Sequence, residues 1–216
     1  MHTGKYFAGL GLLLSSGLAL ADMTFLVQDQ HGAPLADAVL EVVSDPLKTG
    51  VNDDLGIIDQ IDKAFVPELV IVQQGQLVDF PNSDNIRHHV YSFSPAKTFE
   101  LKLYADRPEE PVIFEDHGVV VLGCNIHDSM VGYLYVAADQ RVVKTDQLGM
   151  AKLPLTGDSS QISAWHAHQS KSPEHRDIYE IGAIKQSVDK QHYIVTVDTT
   201  PPPARDTFED TFRANF

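Results

Sequence analysis

The residue types best suited to chemistry in this chain surround its single cysteine. Cys124, His127 and Met130 follow one another at intervals of three residues, and a histidine pair, His88 and His89, lies upstream. Two histidines, one cysteine thiolate and a weakly bound methionine are the ligands of mononuclear copper electron-transfer sites. A hairpin loop with this spacing can place three ligands around one ion, and the fourth can come from either member of the histidine pair. The residues therefore predict a copper site.

The lone cysteine also fits two simpler interpretations. A buried cysteine often packs as a small apolar side chain, and an odd cysteine in an exported protein can form a disulfide with a second copy of the chain. The histidine and the methionine that follow Cys124 at ligand spacing favour the metal site over both alternatives.

Short apolar or alternating segments, separated by Gly, Pro and Asp turns, predict an all-β protein that positions these residues. Val119–Leu122 is a continuous apolar run that leads directly into Cys124, and Val131–Val136 continues the chain after Met130. The pattern is typical of a β-sandwich. The other predicted strands are Phe25–Gln28, Val39–Val43, Leu69–Gln73, Gln76–Phe80 and Phe99–Leu103.

The first 21 residues have the pattern of a secretory signal peptide. Lys5 supplies a positive charge, an apolar run over 7–18 follows, and Ala19–Ala21 is a small-residue cleavage site. An uncleaved membrane anchor is the alternative, but the run is shorter than the roughly 20 apolar residues that a membrane-spanning helix needs. We therefore expect an exported, periplasmic protein without stable membrane insertion.

The chain is strongly acidic, with 16 Lys and Arg, 30 Asp and Glu and a formal charge of −14. Removal of residues 1–21 takes away one lysine and no acid, which leaves −15. Proteins that bind nucleic acid or anionic membranes present basic surfaces, so neither is an expected partner. The acidity suits a transient encounter with a basic protein, and solubility alone is the simpler explanation.

The region over 65–137 resembles the cupredoxin family, and most closely its amicyanin members. Phe65–Val72 and Gly75–Phe80 match the paired strands before the first ligand, and Asn82 stands six residues before His88, the spacing that amicyanin uses. The cysteine loop has the amicyanin register, the shortest ligand loop of the family. The resemblance implies a Greek-key cupredoxin β-sandwich.

The same resemblance implies that one type 1 copper ion is held by four residues, namely His88, Cys124, His127 and Met130. Met130 would be the weak axial ligand. The amicyanin register selects His88 over His89, and neighbouring residues of a strand face opposite sides, so only one of the pair reaches the ion without distortion. The chain departs from the family at His89, where amicyanin has Asn, and at Asp128, where it has Pro.

Two segments that flank this region resemble hairpins of transthyretin-like or carboxypeptidase-regulatory β-sandwiches. Val27–Leu40 and Val143–Pro154 each contain an Asp-x-x-Gly turn, which begins at Asp29 and at Asp146. We therefore expect a copper domain inserted in a small split sandwich, and one larger sandwich with two ordinary turns is the alternative. The expected organisation is a signal peptide (1–21), a split outer sandwich (22–48 plus 138–200), a copper domain (52–137) and a flexible tail (201–216).

A second histidine group, formed by His166, His168 and His175, can be a further metal site or a set of surface side chains. The sequence has no recognisable Ser/His/Asp set, no phosphate-binding loop and no Cys-x-x-Cys pair. We therefore expect no enzyme. A metal enzyme that uses the second histidine group remains an alternative.

The expected function is that of a monomeric periplasmic carrier that cycles between Cu(II) and Cu(I). The resemblance to amicyanin, a protein of methylamine utilisation, implies redox partners such as a dehydrogenase and a c-type cytochrome. A copper-binding, storage or delivery module of the cell envelope is the alternative.

Overall fold

A computed structural model of the chain describes residues 21–43, 54–156 and 159–201. The predicted signal peptide lies outside these residues except for Ala21, and the predicted tail except for Pro201. The described residues form eighteen strands and one 3-10 turn, Ile181–Ala183, with no α-helix among them. The prediction of an all-β protein is confirmed. Within these ranges, no helix combines the length and the apolar character that crossing a membrane requires.

Ten consecutive strands form a middle module. They are β3 (Gly56–Ile57), β4 (Asp59–Ile61), β5 (Ala64–Val66), β6 (Leu69–Gln73), β7 (Leu77–Asp79), β8 (His88–Ser94), β9 (Lys97–Tyr104), β10 (Val112–Ile113), β11 (Gly118–Cys124) and β12 (His127–Ala137). Five of them form a sheet in the order β6-β12-β11-β8-β9, three form a sheet in the order β10-β7-β3, and β4 and β5 form a hairpin. Apolar side chains between these sheets form one cluster, the site core, which contains Cys124 and Met130.

Eight strands from both sides of the middle module form an outer pair of sheets. They are β1 (Ala21–Gln28), β2 (Val39–Val43), β13 (Val142–Lys144), β14 (Met150–Leu155), β15 (Gln161–Trp165), β16 (Asp177–Glu180), β17 (Lys185–Gln186) and β18 (Tyr193–Thr196). The sheet orders are β14-β1-β18-β17 and β13-β2-β15-β16. A second apolar cluster, the outer core, fills the space between them. The transthyretin-like identity of this outer pair remains a prediction.

The two inner sheets, β6-β12-β11-β8-β9 and β13-β2-β15-β16, are buried on both faces at β2 and along most of β12. In β2, Leu40 packs in the outer core and its neighbour Val39 packs in a third apolar cluster, the joining cluster. In β12, Leu134 packs in the site core, whereas Tyr135 packs in the joining cluster with its ring centroid 6.1 Å from that of Trp165. Because successive side chains of a strand face opposite ways, this alternation stacks the sheets in four layers.

One buried carboxylate connects the outer sheets to the middle module. Glu41 of β2 accepts a hydrogen bond from the Tyr135 hydroxyl at 2.7 Å and one from the Arg176 guanidinium at 3.2 Å. Its other oxygen accepts the backbone N–H groups of Ala138 and Asp139, at 2.6 and 2.9 Å. Glu41 is only 2% exposed, so these four donors replace the water that a carboxylate otherwise binds.

The turns at Asp29 and Asp146 have the same geometry. Each aspartate accepts, through Oδ1, the backbone N–H groups two and four residues later, at 2.8 Å in the first turn and 2.9 Å in the second. Each turn also has a glycine with positive φ at its fourth position, Gly32 at 84° and Gly149 at 71°. The two turns lie side by side, since Val27 donates its N–H to the Gly149 carbonyl at 2.8 Å.

Candidate metal centre

The cysteine loop is a tight hairpin between β11 and β12. Cys124 pairs with His127, so Asn125 and Ile126 form a two-residue turn between them. The turn places a thiol and an imidazole on neighbouring strands at the same end of the sheet. The three-residue spacing therefore brings the two side chains together because the chain reverses between them.

His88 comes from the neighbouring strand β8. This strand pairs with β11 through Tyr91 and Gly123, and with β9 through His88 and Tyr104. The pairing with β9 shifts register between His88 and Val90. A bulge of this kind redirects side chains at the end of a strand, and it leaves the His88 side chain with no solvent exposure.

Three donor atoms converge on one point. His88 Nδ1 lies 3.7 Å from Cys124 Sγ, and His127 Nδ1 lies 3.8 Å from the same sulfur. All three ligand atoms lie within 4.8 Å of one another, and no other group of three His, Cys, Asp or Glu side chains in the described ranges does so. Donors bound to one ion in tetrahedral sites, at about 2.0–2.3 Å, are about 3.3–3.8 Å apart. The two sulfur–nitrogen distances of the cluster already match this spacing.

Met130 and His127 differ in their exposure to solvent. Met130 is 1% exposed and belongs to the same apolar cluster as Cys124. His127 is partly exposed and lies between two exposed residues, Ile126 and Asp128. The site is therefore closed on its core side and approaches solvent at the loop.

Asp84 holds the far side of the His88 ring. The Nε2–H group of His88 donates to Asp84 Oδ2 at 2.6 Å. Burial alone would raise the pKa of Asp84. Hydrogen bonds from the Lys63 backbone, the His88 side chain and the Asp62 backbone outweigh this effect, so the pKa lies below the ordinary value for an aspartate. The group is ionised at neutral pH.

His89 lies outside the three-residue cluster. Its Nε2–H group donates to Glu100 Oε1 at 2.9 Å, and its ring lies 5.7 Å from that of Tyr91. Its Nδ1 is buried and has no hydrogen-bond partner in the part of the chain that the structure describes. The two adjacent histidines thus have separate carboxylate partners, of which only that of His88 serves the cluster.

The second histidine group does not converge in this way. His166 donates from Nε2 to the Ala36 carbonyl at 3.2 Å and accepts the His168 backbone N–H at Nδ1, also at 3.2 Å. Burial is the main cause that lowers the pKa of His166, and the neighbouring His168 adds to it. His175 instead contacts Asp177 at 3.2 Å. Both ring nitrogens of His166 are occupied, so it has no lone pair free for a metal.

Asp84 and Glu100, the carboxylate partners of the two adjacent histidines, were not predicted from the sequence pattern. Asp84 stands four residues before His88, but in a loop this spacing has no fixed geometry. Glu100 is eleven residues from His89 and reaches it only through the pairing of β8 with β9. Neither contact had a recognisable sequence pattern.

The donor set fits a copper ion. A thiolate and two imidazoles, with a thioether buried in the same cluster, are the donors of mononuclear copper electron-transfer sites. His88, Cys124 and His127 would hold the ion, and Met130 is the candidate for a weak fourth contact.

Neither protein-family models nor curated proteins match this chain. Solved structures with partial similarity include a copper-containing nitrite reductase from Thermus scotoductus, at 20% identity and a TM-score of 0.37, over 44% of this chain and 25% of that protein. This chain therefore spans about a quarter of the nitrite reductase.

Two smaller copper proteins have similar scores. Amicyanin from Paracoccus versutus is 15% identical over 45% of this chain and 96% of that protein, with a TM-score of 0.33. A mutant plastocyanin of fern is 21% identical over 38% of this chain and 99% of that protein, also with a TM-score of 0.33. Likenesses of this strength establish no family, and the case for the site rests on its geometry.

Proposed function

We propose that the protein is an exported blue copper protein of the cupredoxin type, a one-electron carrier with a single type 1 site and no enzymatic activity. The observation that carries the proposal is the convergence of His88 Nδ1, His127 Nδ1 and Cys124 Sγ, with sulfur–nitrogen distances of 3.7 and 3.8 Å. A bound copper ion supplies the one-electron couple between Cu(II) and Cu(I).

The strands of one sheet keep the donor atoms in place. Cys124, His127 and His88 lie on β11, β12 and β8, which are adjacent in the five-stranded sheet. Donors held on hydrogen-bonded strands are positioned more tightly than donors on loops. Small rearrangement between two oxidation states is what a fast electron carrier needs, and this sheet supports it.

Burial and exposure divide the roles of the two histidines. His88 and Cys124 are 0% and 3% exposed, so bulk water does not reach these two donor residues. His127 reaches the surface beside Ile126, which is 49% exposed. A partner that contacts this loop is separated from the site by one imidazole ring, and we propose His127 as the point where electrons enter or leave.

We further propose a periplasmic location and soluble redox partners. The sequence begins with a signal-peptide pattern, and the net charge favours a partner with a basic surface. A dehydrogenase as electron donor and a c-type cytochrome as acceptor fit these requirements. Transient encounters of this kind need no stable assembly, so we propose a monomer.

A copper titration of the full mature chain tests the function. We expect one equivalent of Cu(II) to produce an intense visible thiolate-to-copper band that saturates at a ratio of one. The matched variant Cys124→Ser removes only the sulfur, and we expect it to lose the band while its far-UV circular dichroism is unchanged. A band that persists in the variant, or no band in the natural chain, would disprove the blue copper site. Several equivalents without a band would instead support storage.

A further inference from the structure

We propose that Asp84 is a positioning residue, which fixes His88 as the tautomer whose Nδ1 carries no proton and faces Cys124. This inference rests on the proposed copper function for its consequence, but it concerns a state of the metal-free chain that can be measured separately.

The tautomer follows from the hydrogen bond. A neutral imidazole has one N–H group, and the nitrogen that donates it to a partner leaves the other with a free lone pair. An ionised carboxylate only accepts, so the 2.6 Å contact requires the proton on His88 Nε2. In the neutral ring, the lone pair is then on Nδ1, the atom that lies 3.7 Å from Cys124 Sγ. The His88 side chain has no solvent exposure, so bulk solvent does not compete with Asp84 for the ring.

The β4–β5 hairpin fixes the carboxylate itself. Ile61 pairs with Ala64, so Asp62 and Lys63 form a two-residue turn, and both have positive φ, 52° and 61°. Their backbone N–H groups donate to Asp84 Oδ1 at 2.7 Å and to Oδ2 at 2.9 Å. With the His88 ring as third donor, the carboxylate has little freedom to rotate.

The adjacent histidine provides an internal contrast. The Glu100 side chain is 56% exposed and Asp84 only 11% exposed. Glu100 binds His89, which lies outside the donor cluster. Two carboxylates thus bind two neighbouring histidines, and only Asp84 acts on a donor of the site. Glu100→Gln is therefore a matched control for Asp84→Asn.

Two consequences follow for a bound ion. Partners that orient a metal-binding histidine typically change metal affinity about 10- to 100-fold when they are removed. The negative charge of Asp84 also raises the basicity of the ring, which favours Cu(II) over Cu(I). Asp84 therefore contributes to affinity through orientation and to the reduction potential through charge.

The first experiment uses the metal-free chain. Nitrogen-15 NMR of the histidine rings reports which nitrogen carries the proton. We expect His88 in the natural chain and in Glu100→Gln to be wholly the Nε2–H tautomer, and Asp84→Ala to show a mixture. A proton on Nδ1 in the natural chain, or an unchanged tautomer in Asp84→Ala, would overturn the proposal.

The second experiment uses the copper-loaded chain. Asp84→Ala should bind Cu(II) about 10- to 100-fold more weakly in competition with a chelator. Asp84→Asn keeps the shape but not the charge, and should raise the reduction potential while Glu100→Gln leaves it unchanged. Equal potentials for Asp84→Asn and the natural chain would refute the role of Asp84. If the natural chain gives no thiolate band, the copper function fails, and the NMR result still decides the tautomer.

Discussion

At the scale of single residues, the site distinguishes two identical side chains that are adjacent in sequence. His88 and His89 differ in what they face, because they are neighbours at a point where the pairing of β8 with β9 shifts register. His88 joins Cys124 and His127, whereas His89 turns to Glu100 and Tyr91. The identity of a ligand is therefore set by its position on the strand.

Substitution of each histidine by alanine should separate their roles. We expect His88→Ala to lose the intense visible band, because no other imidazole of the described cluster can replace its Nδ1. We expect His89→Ala to keep the band, since only its contacts with Glu100 and Tyr91 are lost. The visible spectrum after addition of one equivalent of copper measures both. The reverse pattern would mean that His89 is the ligand.

Met130 should tune the reduction potential without holding the metal by itself. An axial donor of weak affinity shifts the balance between oxidation states. Met130→Gln offers a harder oxygen donor and should lower the potential, whereas Met130→Leu offers no donor and should raise it. Leucine conserves volume in the buried site core, so it should cost less than about 1.5 kcal/mol in stability. Loss of copper from both variants would contradict a weak axial role.

The sequence predicted the donors in the loop but not the carboxylate that hydrogen-bonds to His88. Cys124 and His127 are three residues apart, so a single two-residue turn is enough to bring them together. His88 required the register of a known family. Asp84 depends on a hairpin more than twenty positions away in sequence, where Asp62 and Lys63 adopt backbone conformations that no residue pattern specifies.

At the scale of elements, one close contact lies between β12 and the β4–β5 hairpin. A Cβ atom on Gly132 would lie 2.8 Å from the Cβ atom of Phe65, closer than real Cβ atoms approach. The glycine thus allows β5 to pack directly against β12. Since the turn of this hairpin donates to Asp84, the contact also supports the environment of His88.

Gly132→Ala should therefore destabilise the protein. The new methyl group meets the base of the Phe65 side chain, which cannot swing away, and overpacking of this kind costs about 1–3 kcal/mol. Gly182→Ala is the control, because a Cβ atom there has no neighbour within 4 Å. Chemical denaturation measures both. Equal stability of the two variants would show that β5 moves freely.

Strand prediction succeeded where apolar residues were continuous or alternated regularly. Val39–Val43 and Leu69–Gln73 form strands with the predicted bounds. The two-stranded hairpin of Asp59–Ile61 and Ala64–Val66 was missed, because each strand has three residues and a turn of Asp and Lys. Short strands of this kind form only when a neighbouring surface is present, here that of β12.

At the scale of the whole molecule, the four stacked layers are connected by apolar packing and by Glu41. This carboxylate is accessible neither to water nor to free counter-ions, and its hydrogen bonds come from both the outer sheets and the middle module. Glu41 thus connects by hydrogen bonds the same two parts of the molecule that the joining cluster connects by apolar packing.

Glu41→Ala should weaken the association of the layers. It leaves the Arg176 guanidinium without its buried partner, and removal of one member of a buried charged pair costs about 3–5 kcal/mol. Asp116→Ala, at an exposed position, should change stability by less than about 0.5 kcal/mol. Thermal and denaturant unfolding measure the difference. A loss in Glu41→Ala as small as that in the control would show that the network contributes little.

The acidity of the chain should act on the rate of encounter with a partner. Asp128 is exposed beside His127, and attraction between surface charges is screened over roughly 8 Å at physiological salt. Asp128→Asn should slow electron transfer to a basic cytochrome at low salt, with a difference that shrinks as salt rises. Asp116→Asn, which precedes β11 at the end opposite Cys124, has the same charge change and should have no effect. Equal stopped-flow rates for both variants at low salt would exclude steering by Asp128.

The outer sheets pair strands that are synthesised at very different times, since β1 and β2 pair only with strands that follow the middle module. The Ala38 amide and the Thr145 hydroxyl that it binds are 107 residues apart in sequence, so β1 and β2 are made long before β13, β14 and β15 exist. The middle strands can find their partners locally, whereas the first two must wait as unpaired apolar strands. Contacts of such separation form slowly, and waiting strand edges are prone to aggregate. The segment 21–43 therefore waits for its partner strands until the last third of the chain has been made.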